Sequence, residues 1–164
     1  MYNVFISKYT IYLKKAKDFL SAEKVLVEQE FTADEKEILK GLNRPIELKA
    51  IDLDGDGQEE LISSEFGFMV GGMTVWKQQG GSWSKKVLNP QTGATHVDVR
   101  DVNGDGLDDI YLGGAAGQIK QLFVQKPGGI FVNSPQADFS LDQTTENTDA
   151  IFFDADKDGD QDLL

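Results

Sequence analysis

The chain has 164 residues, enough for one ordinary domain with its own core, and an apolar share of 40% with 10 Phe sets it apart from a disordered acidic tail. Its formal net charge of −12 argues against nucleic acid and against anionic membrane as partners, because both need a basic face. It has no cysteine, which excludes disulfides, thiolate metal sites and cysteine nucleophiles, and no apolar run approaches the length of a membrane span, so no membrane insertion is expected.

The opening residues, Met1 to Lys8, lack the basic start, long apolar middle and small-residue cleavage site of a signal peptide. From Tyr2 to Phe31 apolar and polar residues alternate in short bursts. Thr10–Lys14 reads as a strand, and Phe19–Val27 as another with a turn between. Tyr12 and Phe19 are seven apart, as are Trp76 and Trp83 further on, so residues 1–31 read as the outer half of a preceding β-blade. One short helix near the N-terminus is expected over Ala33–Lys40. Thr32 is its N-cap, Glu35 completes a capping box, Ile38, Leu39 and Leu42 give an apolar stripe, and Gly41 is the stop. Pro45 ends any continuation, so helix and linker take residues 32–45.

From Ile46 the pattern repeats. Ile46–Ile51 is a strand, an acidic loop follows, and Leu61–Ser64 is the next strand. A glycine-rich connection, Phe66–Gly72, leads to a strand at Met73–Gln78, a turn at Gly80-Gly81 and a strand at Trp83–Leu88. The second unit has a strand at Thr95–Arg100, an acidic loop, a strand at Ile110–Leu112, a connection at Gly113–Gly117, a strand at Ile119–Gln125, a turn at Gly128-Gly129 and a strand at Ile130–Asn133. A third unit opens at Ala150–Phe153 and runs through its loop to Leu164. The units are residues 46–94, 95–149 and 150–164, and the loops begin 49 and then 53 residues apart. Four strands per unit at this period predict an all-β chain, a partial β-propeller of four-stranded antiparallel blades. A propeller needs roughly 4–8 blades, so the remaining blades of a larger propeller are expected as partners. A small sandwich with duplicated hairpins is the alternative architecture.

Each acidic loop carries oxygen side chains at positions 1, 3, 5 and 9. These are Asp52, Asp54, Asp56 and Glu60, then Asp101, Asn103, Asp105 and Asp109, then Asp154, Asp156, Asp158 and Asp162. The seventh residue, Gln58, Leu107 or Asp160, would offer its backbone carbonyl, and the sixth, Gly57, Gly106 or Gly159, permits the sharp bend. Hard oxygens in this number suit calcium, up to three ions, better than zinc or magnesium. Two carboxylates about 5 Å apart repel by roughly 3 kcal/mol at an effective dielectric near 20, so converging acids call for a cation among them. An EF-hand shares the first six positions but needs a bidentate Glu at position 12, where the first two loops have Ser63 and Leu112. A dockerin-type module fails on the same ground. A solvated acidic turn explains one such loop, and three copies between the same flanking strands argue against it.

The loops and their flanks resemble FG-GAP repeats, also called VCBS repeats, as in integrin alpha propellers and many bacterial surface proteins. Asp101–Ile110 followed by Tyr111-Leu-Gly113-Gly114-Ala115-Ala116-Gly117 is similar to that family's calcium loop, strand and turn, and Phe66-Gly67 to a displaced FG element. Asp149–Asp156 looks like the bacterial group that often carries an ASPIC/UnbV segment. The resemblance covers about Leu42–Leu164. It implies a seven-bladed propeller with calcium between the first two strands of a blade. The third loop departs from the pattern, with Lys157 where the others have Gly55 and Gly104; a left-handed residue there would cost on the order of 1 kcal/mol.

His96, the sole histidine, stands at a strand start where the other units have Glu47 and Asp149, and reads as a strand-end polar residue. Without a serine or cysteine partner it supports no nucleophile, and every dense acid cluster is taken by a loop, which leaves none for glycoside hydrolysis. Trp76, Trp83, Phe123 and Phe131 read as blade core rather than a sugar platform. Phe66, Phe68 and Met69 lie on a connection opposite the calcium loops and read equally as a binding patch or as packing on a neighbouring blade. The expected function is non-enzymatic: a calcium-stabilised interaction and adhesion module, extracellular, periplasmic or on the cell surface, with a protein or glycan ligand on the rim opposite the loops. The alternatives are the non-catalytic propeller portion of a larger secreted lyase or lipase, and a carbohydrate-binding lectin.

Overall fold

The computed structural model describes residues 2–7, 10–15, 36–67, 71–118, 120–141, 144–146, 149–157 and 161–163. The chain divides into two units, Met1–Arg44 and Pro45–Leu164. The first holds a three-stranded antiparallel sheet of β1 (Tyr2–Ser7), β2 (Thr10–Lys15) and β3 (Lys36–Leu42), in the order β2-β1-β3. β2 matches the strand expected at Thr10–Lys14.

The helix expected over Ala33–Lys40 is replaced by β3, and a bulge explains the misreading. β1 pairs Tyr2 with Leu42 and Val4 with Leu39, so β3 carries one extra residue between those pairs, and Gly41 lies within that stretch at φ 78°. A bulge of this kind brings residues three apart onto one face of a strand, and Leu39 and Leu42 are both buried. Their spacing imitates a helical stripe, while Gly41 bends a strand instead of stopping a helix. The residues Ala33–Glu35 and the strand expected at Phe19–Val27 lie outside the described residues.

The second unit is built of in-order meanders. β4 (Pro45–Ile51), β5 (Glu60–Glu65), β6 (Gly72–Gln79) and β7 (Ser82–Asn89) form one four-stranded antiparallel sheet. β8 (Ala94–Arg100), β9 (Asp109–Gly114), β10 (Gln121–Lys126) and β11 (Ile130–Asn133) form a second. A five-residue helix, α1 (Ala137–Leu141), precedes the pair β12 (Phe152–Phe153) and β13 (Asp162–Leu163). The fold is all-β, with the two four-stranded blades of a partial β-propeller. The Gly80-Gly81 turn explains the tight link from β6 to β7: both glycines have positive φ, 58° and 84°, as the two-residue hairpin between Gln79 and Ser82 requires.

Strand alternation lets one strand serve two cores. β8 of the second blade lies against β4 and β5 of the first. Between them Ile62, Met73 and Val75 meet Val97, Ile110, Leu112 and Phe123. On β9, Tyr111 sits between Ile110 and Leu112 and faces the other way. It packs with Ala150 and Phe152, and its ring stands edge-on to Phe139 and Phe152 at 5.8 and 6.1 Å. Phe123 is core and Phe131 packs against it, whereas Trp76 and Trp83 are only half-buried. Among the described residues no helix is long and apolar enough to cross a membrane.

Candidate metal centre

The acidic loops connect β4 to β5, β8 to β9 and β12 to β13. In each, the first aspartate folds back on its own loop. Asp52 accepts from the Asp56 N–H on Oδ1 at 3.1 Å and from the Gly57 N–H on Oδ2 at 2.9 Å. Asp101 accepts from the N–H groups of Gly104 and Asp105 on Oδ1, at 2.8 and 3.2 Å, and of Gly106 on Oδ2, at 2.9 Å. Asp154 Oδ1 accepts from the Lys157 N–H at 2.6 Å. The fourth residue is left-handed in every loop, with φ 71° at Gly55, 72° at Gly104 and 67° at Lys157. The ninth residue closes the loop onto the N–H of the second: Glu60 onto Leu53 at 2.9 Å, Asp109 onto Val102 at 3.1 Å, Asp162 onto Ala155 at 2.9 Å. The side chains of Leu53 and Val102 in turn pack into the cores. Oriented N–H dipoles thus offset part of the charge that the spacing brings together.

The loops differ in how closely their acids gather. Carboxylate oxygens of Asp52, Asp54 and Glu60 lie within 4.8 Å of one another, and those of Asp154, Asp156 and Asp162 do the same. In both cases these are positions 1, 3 and 9. Asp56, at position 5, accepts from the Gln58 N–H at 2.8 Å and from Lys77 Nζ at 2.9 Å. In the second loop position 3 is Asn103. Its Oδ1 accepts from the Asp105 N–H at 2.9 Å and its Nδ2 faces Asp109 Oδ2 at 3.4 Å, while Asp105 Oδ1 accepts from the Leu107 N–H at 3.0 Å. Gln58 and Leu107 therefore give their N–H groups to the fifth-position carboxylates. Asp158, Gly159 and Asp160 lie outside the described residues.

The donor set fits a hard divalent cation, since the clustered groups offer only oxygen. Glu60 is 3% exposed, its Oε2 accepts from the Leu53 N–H, and its Oε1 meets the Lys77 ammonium at 3.1 Å. Lys77 also contacts Asp54, and hydrogen bonds to Asp54 and Asp56 push its pKa well above the usual lysine value. The same ammonium holds Asp56 below the usual carboxylate range. Burial pushes Asp109 up, aided by Asp105 and Asp101 and opposed by the N–H groups of Gln125 and Val102. Asp108 is raised first by burial and then by Asp101.

Two residues of this centre escaped the sequence reading. Lys77 reaches the first loop from β6. Gln125, on β10 and 1% exposed, donates its N–H to Asp109 Oδ1 at 2.8 Å and its side-chain amide to the carbonyls of Leu53 and Asp108, at 2.8 and 2.9 Å. That one amide joins the first loop to the second. Away from the loops, the repeat-equivalent residues Glu47, His96 and Asp149 come side by side. His96 Nδ1 is 3.4 Å from Glu47 Oε2, and Nε2 is 3.6 Å from Asp149 Oδ1. Phe66 is half-buried, and Phe68 and Met69 lie outside the described residues.

A family model described as FG-GAP-like repeat matches residues 52–112 and again residues 101–164. Each match begins at an acidic loop and reaches or spans the next, and the second loop belongs to both. No curated protein and no solved structure matches the chain.

Proposed function

Because the chain belongs to the FG-GAP-like repeat family, we propose that it is a calcium-stabilised propeller segment that works by binding a protein or glycan rather than by catalysis. The observation that carries this reading is the convergence of carboxylate oxygens from positions 1, 3 and 9 in the first and third loops, each set within 4.8 Å. Asp52, Asp54 and Glu60 would hold one ion, Asp154, Asp156 and Asp162 another, and Asp101, Asn103, Asp105 and Asp109 a third. When bound, the ion supplies fixed positive charge that neutralises converging carboxylates and cross-links neighbouring strand ends.

A structural role follows from where the loops sit. Leu53 and Val102 anchor them in the cores on either side of β9, and Gln125 links two of them. Ions at these points stiffen one rim, which leaves recognition to connections on the opposite rim. Sites of this kind in extracellular modules bind in the range of about 10⁻⁴–10⁻³ M, a calcium level met outside cells and not in the cytosol, which favours an extracellular, periplasmic or surface location. Thermal unfolding of the full chain tests the reading. About 2 mM calcium should raise the midpoint by several degrees over chelator, and equal magnesium by much less. Identical midpoints in calcium and chelator would exclude it.

A further inference from the structure

The first and second loops differ at a residue that lies in neither. Leu61 and Ile110 each follow the ninth loop position directly, and in the sheets Leu61 pairs with Trp76 while Ile110 pairs with Phe123. The next residue along the partner strand is Lys77 in the first blade and Val124 in the second. Lys77 places its ammonium among the carboxylates of positions 3, 5 and 9: against Asp54, 2.9 Å from Asp56 Oδ2 and 3.1 Å from Glu60 Oε1. Val124 brings no charge to the second loop. Lys77 thus places a cation directly on the acids of positions 3, 5 and 9 of the first loop, whereas the charge acting on the second loop, Arg100, bears on Asp108, outside positions 1, 3, 5 and 9.

We infer that Lys77 acts as a tethered counter-cation of the first loop, holding it closed when metal is absent and giving way when calcium binds. This rests on the calcium reading above. An ammonium fixed to the adjacent strand is present at a high effective concentration, so an incoming ion has to displace it from three carboxylates before it gains their charge. The exchange is sterically simple: the Lys77 side chain is 29% exposed and can swing its head into water. The consequence is an order of filling. The second loop takes calcium first, and the first loop fills only at higher concentration, so the two sites report two calcium levels.

The amides of Gly57 and Gly106 read the two loops separately, since each donates to the first aspartate of its own loop. Calcium titrations of the full chain, followed by amide shifts, should move Gly106 before Gly57. In Lys77→Met the Gly57 midpoint should fall by at least about tenfold while Gly106 changes little, and Lys77→Arg, which keeps a cation, should retain the original order. A Gly57 midpoint unchanged or raised in Lys77→Met, with Gly106 responding normally, overturns the inference and leaves the calcium reading standing. No response at either glycine at about 10 mM calcium overturns both. Lys77→Gln provides the same comparison should the methionine variant fold poorly.

Discussion

The side-chain amide of Gln125 donates to the carbonyl of Leu53, 72 residues earlier in the chain, at 2.8 Å. The same nitrogen donates to the carbonyl of Asp108 at 2.9 Å, so a single buried group fastens the first acidic loop to the second. Replacing it with methionine keeps the volume and removes the donor. The buried Leu53 carbonyl left without this partner costs about 1–3 kcal/mol and the part-buried Asp108 carbonyl about 1 kcal/mol, so Gln125→Met should destabilise the chain by roughly 2–4 kcal/mol in urea unfolding. A loss below about 0.5 kcal/mol would mean that water replaces the amide and the link is not structural.

Lys157 has φ 67°, the left-handed conformation that glycine supplies at the matching places, Gly55 and Gly104. Lys157→Gly removes this strain but adds freedom to the unfolded chain, so the expected net gain is about 0.5–1 kcal/mol. Thermal melts of the two proteins measure it, and a destabilised variant would show that the lysine side chain contributes more than its backbone strain removes.

Gly72 opens β6 at φ 121°, and a Cβ there would sit 1.9 Å from the Asn89 carbonyl oxygen. Gly72→Ala therefore meets both a forbidden backbone angle and a rigid backbone atom. The expected loss is at least about 3 kcal/mol, seen as a lower urea midpoint or as insoluble protein. Wild-type stability in this variant would mean that β6 and β7 are not paired as described.

Burial holds the Asp109 carboxyl above the usual range. A raised carboxyl favours the proton in the folded state, so the stability it lends is full below the ordinary carboxylate value of about 3.9 and is lost as pH rises through the raised value. A cation beside the carboxylate opposes that loss and competes with the proton. Calcium affinity at the second loop should therefore be weaker at about pH 5 than at about pH 7, measured by calorimetric titration. An Asp109→Asn variant with unchanged calcium affinity at about pH 7 would remove Asp109 from the ligand set.

Much of this architecture was legible in the residues because period-two alternation and paired glycines are local signals. The strands of both blades and the Gly80-Gly81 hairpin follow from them directly. Within the loops, the folded-back first aspartate, the left-handed fourth residue and the closing ninth residue all fall on the spacing that singled the loops out. What stayed hidden depends on register between strands. Lys77 lies 23 residues from Asp54, and only the pairing of β5 with β6 carries it to the loop. Gln125 reads as one more polar residue on an alternating strand until β10 is laid beside β9. Leu39 and Leu42 misled for the same reason in reverse, since a bulge changed the phase of β3. Glu47, His96 and Asp149 share a place in the repeat, and that their side chains meet follows from how successive units pack rather than from spacing.

Counting bound calcium is the most direct test. The chelator-stripped chain is dialysed to equilibrium against about 5 mM free calcium with about 5 mM magnesium present, and metal per chain is then measured. Two or more calcium ions per chain, retained against magnesium, is the result expected from oxygen clusters on these left-handed bends. Fewer than two, or full displacement by magnesium, would contradict the claim that the acidic loops are calcium sites.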